Sequence, residues 1–174
     1  RAPAIEELYN NGPHPGNLTF EVGDPNLKRE LNNGFDAGLR HHASRLRGEV
    51  SAFAYRLSDF VYLAPTGNIE DGLPEANYAQ GNAIYRGAEA KLDVGLTRDV
   101  WLITALDGVR AELSQGSVAL PRIPPVRGRV GIDARWNGFH VRPELVLSSK
   151  QDRVFETEVP TAGFGVLNFT GGYT

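Results

Sequence analysis

At 174 residues the chain fits one domain and is short for two. A net charge of −3 gives no basic footprint for nucleic acid, and the absence of Cys removes disulfide frameworks, thiolate metal sites and cysteine nucleophiles. With 41% hydrophobic and 22% charged residues the composition is that of a folded chain, yet no apolar run approaches the roughly 18 residues a spanning helix needs.

Taken in chain order, the first alternating segment is Leu31 to His41, with Phe35, Ala37 and Leu39 opposite Asp36, Gly38 and Arg40. Leu46 to Leu63 is β-rich with a mixed pattern. Arg86 to Val94 sets Ala88, Ala90, Leu92 and Val94 against Gly87, Glu89, Lys91 and Asp93. Val100 to Glu112 is again β-rich and mixed. The clearest segment is Val126 to Trp136, where Val126, Gly128, Val130, Ile132, Ala134 and Trp136 alternate without a break with Arg127, Arg129, Gly131, Asp133 and Arg135. That run is about the length of a tilted membrane-spanning strand. Asn137-Gly138 then supplies a two-residue hairpin turn, since both residues tolerate positive φ. The return strand sets Phe139, Val141, Pro143, Leu145 and Leu147 against His140, Arg142, Glu144, Val146 and Ser148, with Pro143 a blemish for a paired strand. Leu167, Phe169 and Tyr173 alternate with Asn168, Thr170 and Thr174. The total is about seven strands.

Connection lengths carry a second signal. Ala43–Arg45, Thr97–Asp99 and Asn137-Gly138 are short; Arg1–Glu30, Ala64–Ala76, Leu113–Pro125 and Gln151–Gly165 are long. Outer-membrane barrels have short periplasmic turns and long extracellular loops, so the alternation predicts such a barrel. Period two also fits a soluble lipocalin-like barrel with its faces reversed. Trp136 and Phe139, on the apolar side at a turn, fit an aromatic girdle at a lipid–water interface. A start at Arg1 without Met or leader, and an end at Thr174 inside a strand pattern, lead us to expect a piece of a longer protein.

Five stretches, in order, resemble one family. They are Arg1-Ala-Pro-Ala-Ile-Glu-Glu-Leu-Tyr9, Phe20-Glu-Val-Gly-Asp-Pro-Asn-Leu-Lys28 with Glu30, Gly38-Leu39-Arg40, Tyr85-Arg-Gly-Ala-Glu89, and Leu120-Pro-Arg-Ile-Pro-Pro125, running on into the strand that follows. Together they resemble the C-terminal half of the barrel of a TonB-dependent outer-membrane receptor. Arg29 stands where that family usually has Pro, and His41 where it has an aromatic. The resemblance implies an all-β, antiparallel transmembrane barrel segment, part of a barrel of about 22 strands around a plug. It makes residues 1–174 a partial barrel domain, with the plug domain and last strands outside the chain. It further implies TonB-driven uptake of a scarce nutrient at the bacterial outer membrane, with membrane lipid, the plug and the inner-membrane TonB complex as partners. Glu7-Leu8-Tyr9-Asn-Asn-Gly-Pro-His14, Thr19-Phe20-Glu21-Val22-Gly23, Gln151, Phe155-Glu156-Thr157 and Leu167-Asn168 are most similar to the zinc-uptake branch. Zinc is therefore the first cargo, with a ferric siderophore or haem as the alternative. A soluble β-rich binding or structural module is the reading from another class.

Within this frame Val126, Val130, Ile132, Trp136, Phe139, Val141, Leu145 and Leu147 are expected to face lipid. Arg127, Arg129, Asp133, Arg135, Arg142 and Glu144 are expected to face the lumen, steering an anion, meeting the plug or compensating one another. His14, Glu21 and Asp24 are the candidate metal contacts, because imidazole and carboxylate ligate zinc where thiolates are absent. The bland alternative is a solvated loop histidine with ordinary carboxylates around it, and Glu70, Asp71 and Glu75 form an acidic loop cluster of the same kind. His41-His42 cannot share one ion easily, since neighbours on a strand point to opposite faces. Catalysis has no constellation to stand on. Ser148-Ser149-Lys150 lacks the S-x-x-K spacing, and Gly163-Phe164-Gly165 opens no predicted helix. A permanent cofactor is not expected; metal enters as cargo.

Overall fold

The computed structural model describes residues 1–174. Its elements are α1 (Ile5–Tyr9), β1 (Asn11–His14), β2 (Thr19–Val22), β3 (Leu31–His42), β4 (Leu46–Glu70), β5 (Leu73–Gly95), β6 (Val100–Leu113), β7 (Arg127–Trp136), β8 (Phe139–Ser148) and β9 (Phe164–Tyr173). The seven strands from β3 to β9 each pair with their sequence neighbours, so the sheet is a meander. By chain contacts the protein forms two compact units, and β3, β4, β5 and β6 give residues to both.

One unit comprises residues 1–34, 55–85 and 111–118. Here the expected loop from Ala64 to Ala76 is replaced by strand. β4 runs to Glu70, β5 starts at Leu73, and Asp71 and Gly72, at φ 49° and 77°, make the turn. Positive φ at both central residues is the type I′ geometry, which matches the twist of paired strands. The strand signal was weak because Thr66, Gly67, Asn68 and Glu70 are exposed polar or small residues, and a hairpin wet on both faces needs no alternation.

The Arg1–Glu30 stretch is likewise not a plain loop. It carries α1 and the β1–β2 hairpin, and β2 lies parallel to β5 with Phe20, Glu21 and Val22 beside Glu75, Ala76 and Asn77. β2 thereby covers backbone groups on β5 that an open edge would leave for another chain. In β4, Asp59 sits at φ 54°, and the Gln80 side chain holds the irregularity. Its Nε2 donates to the carbonyls of Asp59 at 2.8 Å and Lys28 at 2.6 Å, while its Oε1 accepts from the Lys28 N–H at 2.8 Å. The apolar core of this unit is Phe20, Val61, Ala76, Ala83, Ala111 and Leu113.

The other unit comprises residues 35–54, 86–110 and 119–174. β6, β7, β8 and β9 pair antiparallel in sequence order. Asn137 and Gly138 turn β7 into β8 with φ 46° and 82°, as their types predict. β9 begins at Phe164, three residues before the expected Leu167. Pro143 interrupts the β7–β8 ladder between Glu144 and Val141 without changing the register. Gly131 makes room there, since a Cβ on it would stand 2.8 Å from the Pro143 carbonyl oxygen. The buried apolar residues of this unit, Ala119, Leu120 and Phe155, all come from its two long connections. Those connections are tied by Gln151, which donates to the Ile123 carbonyl at 2.5 Å, and by Glu158, which accepts from the Arg122 and Phe155 N–H groups at 2.7 and 3.0 Å.

Candidate functional site

The register of β6 to β9 sorts side chains onto two faces. On one lie Val100, Leu102 and Leu106, then Val130, Ile132, Ala134 and Trp136, then Phe139, Val141, Pro143, Leu145 and Leu147, then Leu167, Phe169 and Tyr173. This apolar belt is open: Val130 is 41% exposed, Leu147 49% and Phe169 72%. Thr104 is the polar residue within it, and its hydroxyl donates to the Leu92 carbonyl at 2.8 Å. A hydroxyl satisfied by its own backbone is compatible with surroundings that offer no partner. Trp136, Phe139 and Tyr173 close the belt at the Asn137-Gly138 turn, with ring centroids 6.5 Å and 4.7 Å apart. Val126, just before β7, shares the belt's parity and is exposed.

The opposite face carries Arg127, Arg129, Asp133, Arg135, Arg142 and Glu144 together. Arg127 pairs with Asp107 directly across the ladder at 3.1 Å, and Arg135 with Asp133 along its own strand at 3.2 Å. Glu144 lies 4.0 Å from Arg129 and 3.9 Å from Arg142. Arg47 stacks 4.4 Å over the Trp101 ring on the same face. A cavity of about 370 Å³ opens among Arg47, Arg98, Trp101, Asp133 and Arg142. Sequence reading missed Arg47 and Trp101 because their strands alternate poorly. Phe164 and Val166 break the polar pattern, since they fall on this face and are exposed.

The candidate metal contacts separate in the folded chain. His14 Nδ1 stands 3.9 Å from Glu21 Oε1, so these two are neighbours. Asp24 is engaged locally, accepting from the backbone and side-chain nitrogens of Asn26 at 2.8 and 3.0 Å. No three His, Asp or Glu side chains converge as a metal site requires. Glu21 is fully buried and already serves three donors: Asn17 Nδ2 at 2.7 Å, Thr19 Oγ1 at 3.1 Å and Tyr78 Oη at 2.7 Å. Burial pushes its carboxyl up, but those hydrogen bonds and the nearby His14 charge outweigh burial and hold it below the usual range. The same burial and the Glu21 charge push the Tyr78 phenol well up, so it stays a donor. Thr19 and Glu21 share strand parity, a signal the sequence did contain, while Asn17 reaches Glu21 from the turn before β2.

A second carboxylate hub was not foreseen. Arg1 pairs with Glu7 at 2.7 Å and with Glu30 at 2.6 Å, and Glu30 also accepts from the Val61 N–H at 2.7 Å. Hydrogen bonding to Arg1 holds the Glu7 carboxyl low despite partial burial. Glu7 also accepts from the Ala4 N–H at 2.7 Å at the start of α1. In the Glu70, Asp71 and Glu75 cluster, Glu75 accepts from Thr66 and Asn68 at 2.7 and 2.9 Å, bonds that lower its pKa.

An open apolar belt backed by an ion-paired polar face, on a meander of long strands, defines the wall of a transmembrane β-barrel. A family model described as TonB dependent receptor-like, beta-barrel matches residues 1–174, and the chain belongs to that family. Its fold is similar to that of the copper transporter OprC, with a TM-score of 0.84 at 21% identity over 99% of this chain and 27% of that one. It is also similar to the siderophore receptor PirA from Pseudomonas aeruginosa, at 0.68 and 15% over 100% of this chain and 31% of that one. A third similarity is to the FrpB iron transporter from Neisseria meningitidis, at 0.64 and 12% over 88% and 24%. The chain thus spans about a quarter to a third of these proteins' length. Membership of this family puts the protein in the outer membrane of Gram-negative bacteria and sets aside the soluble β-module.

Proposed function

We propose that residues 1–174 are a partial barrel domain of an outer-membrane receptor that takes up a scarce, metal-containing nutrient. The plug domain and closing strands come from the rest of the polypeptide, and TonB in the inner membrane drives release. The observation that carries the reading is the uninterrupted apolar belt of β7, β8 and β9 set against their arginine-rich face. On this reading the belt, including Val126, Val130, Ile132, Trp136, Phe139, Val141, Leu145 and Leu147, contacts lipid, while Arg127, Arg129, Asp133, Arg135, Arg142 and Glu144 face the lumen. The protein is a transporter rather than an enzyme, and metal passes through it as cargo.

Zinc remains the first cargo, with His14 as the exposed contact and Glu21 as its buried neighbour. Asp24 belongs to its own turn, so further ligands must come from other loops or the plug. Two of the similar folds, a copper transporter and a siderophore receptor, handle metals in different forms, which keeps a ferric chelate or haem as the alternative. Growth of a receptor-deletion strain under limiting zinc or limiting iron separates them. A defect only under zinc limitation, reproduced by His14→Ala, supports zinc; a defect only under iron limitation transfers the reading to a chelate.

A further inference from the structure

Two arginines stand on the apolar side of the sheet rather than with the others. Along β6, Val100, Leu102, Thr104 and Leu106 lie on the belt face, and strand parity carries that face through Gly108 to Arg110. Along β5, Asp93 lines the cavity of the arginine-rich face, so Leu92, Ala90, Ala88 and Arg86 take the belt side. The two strands close in one register at both ends. The Leu96 N–H donates to the Val100 carbonyl at 2.9 Å, and the Ser114 N–H to that of Asn82 at 2.7 Å. That register sets Arg86 directly opposite Arg110 in a hydrogen-bonded pair, whose Cα atoms stand about 5.5 Å apart. Both arginines are exposed. The next pair on this face toward the short turn is Ala88 with Gly108, two small residues that leave a dip bordered by Leu106 and Val126. Arg86 stands nine positions before Gly95 and Arg110 ten after Val100, about the nine to eleven residues that carry a tilted strand across hydrocarbon. β4 repeats the pattern in sequence, with Val50, Ala52 and Ala54 leading to Arg56, ten positions after Leu46.

Like charges directly across a ladder repel, and Glu112, two positions further along β6, sets one negative charge against the two. The edge of the belt therefore keeps a net positive charge. Guanidinium forks match phosphate oxygens two at a time, so two forks at this spacing offer four donors to one phosphate. A phosphate monoester, with three free oxygens, uses them better than a diester with two. This edge of the belt lies away from the short turns, which on the proposed membrane reading is the outer leaflet. We propose that Arg86 and Arg110 clamp the terminal phosphate of an outer-leaflet lipid whose acyl chains descend over Ala88 and Gly108 along the belt. The proposal rests on the belt contacting lipid, and it assigns that contact a headgroup.

The test uses the intact receptor, inserted in phosphatidylcholine vesicles carrying either diphosphorylated lipid A or twice its mole fraction of phosphatidylglycerol, which equalises charge. Gentle extraction and native mass spectrometry then read the retained lipid. Lipid A should be retained over phosphatidylglycerol. Arg86→Gln with Arg110→Gln should lower its retention about tenfold or more, the scale of losing charge-assisted hydrogen bonds. Arg86→Lys with Arg110→Lys keeps the charge but loses the forks, and should remove most of the preference for the monoester. Equal retention of the two lipids by the unaltered receptor, an unaffected glutamine variant, or an undiminished preference in the lysine variant overturns the proposal. Displacement of lipid A by millimolar inorganic phosphate alone reassigns the pair to free phosphate and also overturns it. A receptor that enters no vesicle defeats the membrane reading beneath it as well.

Discussion

The unit built around Glu21 and Glu30 and the unit built around β7, β8 and β9 dispose of polar and apolar groups in opposite ways. The first hides carboxylates and satisfies each: Glu21 has three side-chain donors, and Glu30 has Arg1 and the Val61 amide. Its apolar residues Phe20, Val61 and Leu113 are buried by its own chain, as in any water-soluble fold. The second leaves Val130, Leu145, Leu167 and Phe169 open and buries apolar side chains only in its connections. A monomer in water rarely exposes so long an apolar stripe, and hydrocarbon removes the objection. On the proposed reading the difference is one of solvent, with one region folded for water and the other for lipid.

The largest effect that would break the comparison is a charge on the belt. Ile132→Arg should cost roughly 2–4 kcal/mol and impair assembly of the intact receptor, because guanidinium must leave water at mid-membrane depth. The matching change on the other face, Asn168→Arg opposite Glu144, should cost less than about 0.5 kcal/mol, as exposed substitutions do. Denaturant titration of the two variants from the same vesicles measures both. Equal penalties would erase the distinction between the faces.

Next in size is the buried hub. Glu21→Ala removes the shared acceptor of Tyr78, Asn17 and Thr19, and should destabilise the β1–β2 hairpin by about 2–3 kcal/mol without touching β7–β9. Hydrogen exchange resolved along the chain should show faster exchange at Phe20–Val22 and unchanged exchange at Val130–Ala134. Acid should reproduce this in milder form. Glu7 and Glu21 are both held below the ordinary glutamate value of 4.5, so their contribution is complete above it and fades as pH falls through their lowered values. Proteolytic nicking of the Arg1–Glu30 segment should therefore rise below about pH 4, while the membrane strands stay protected. Smallest is Arg127→Ala, which removes a half-exposed ion pair with Asp107 and should cost under about 1 kcal/mol.

How much of this was legible follows from the same contrast. β7 and β8 were readable almost to the residue, because a strand between lipid and a polar face must alternate and Asn137-Gly138 fixes the turn. The outer half of β4 and β5 was not, since Thr66, Asn68 and Glu75 bond to one another in water and impose no period. Asp71-Gly72 was nevertheless a turn signal of the same kind and would have ended the supposed loop. For the candidate site, His14 and Glu21 are neighbours in the folded chain, but the sequence could not show that Glu21 is spent on Tyr78, fifty-seven positions away. The Arg1–Glu30 pair is invisible for the same reason, because a twenty-nine-residue separation leaves no local pattern.

The central claim is that the belt faces lipid and the arginines do not. Single spin labels at Val130, Ile132 and Leu145, and at Arg129 and Asp133, in the vesicle-inserted receptor test it most directly, using oxygen as the lipid-soluble relaxant and a nickel chelate as the water-soluble one. Labels at 130, 132 and 145 should relax strongly with oxygen and weakly with nickel, and those at 129 and 133 should respond little to oxygen. Strong oxygen relaxation at 129 and 133 with protection at 130, 132 and 145 would contradict the account.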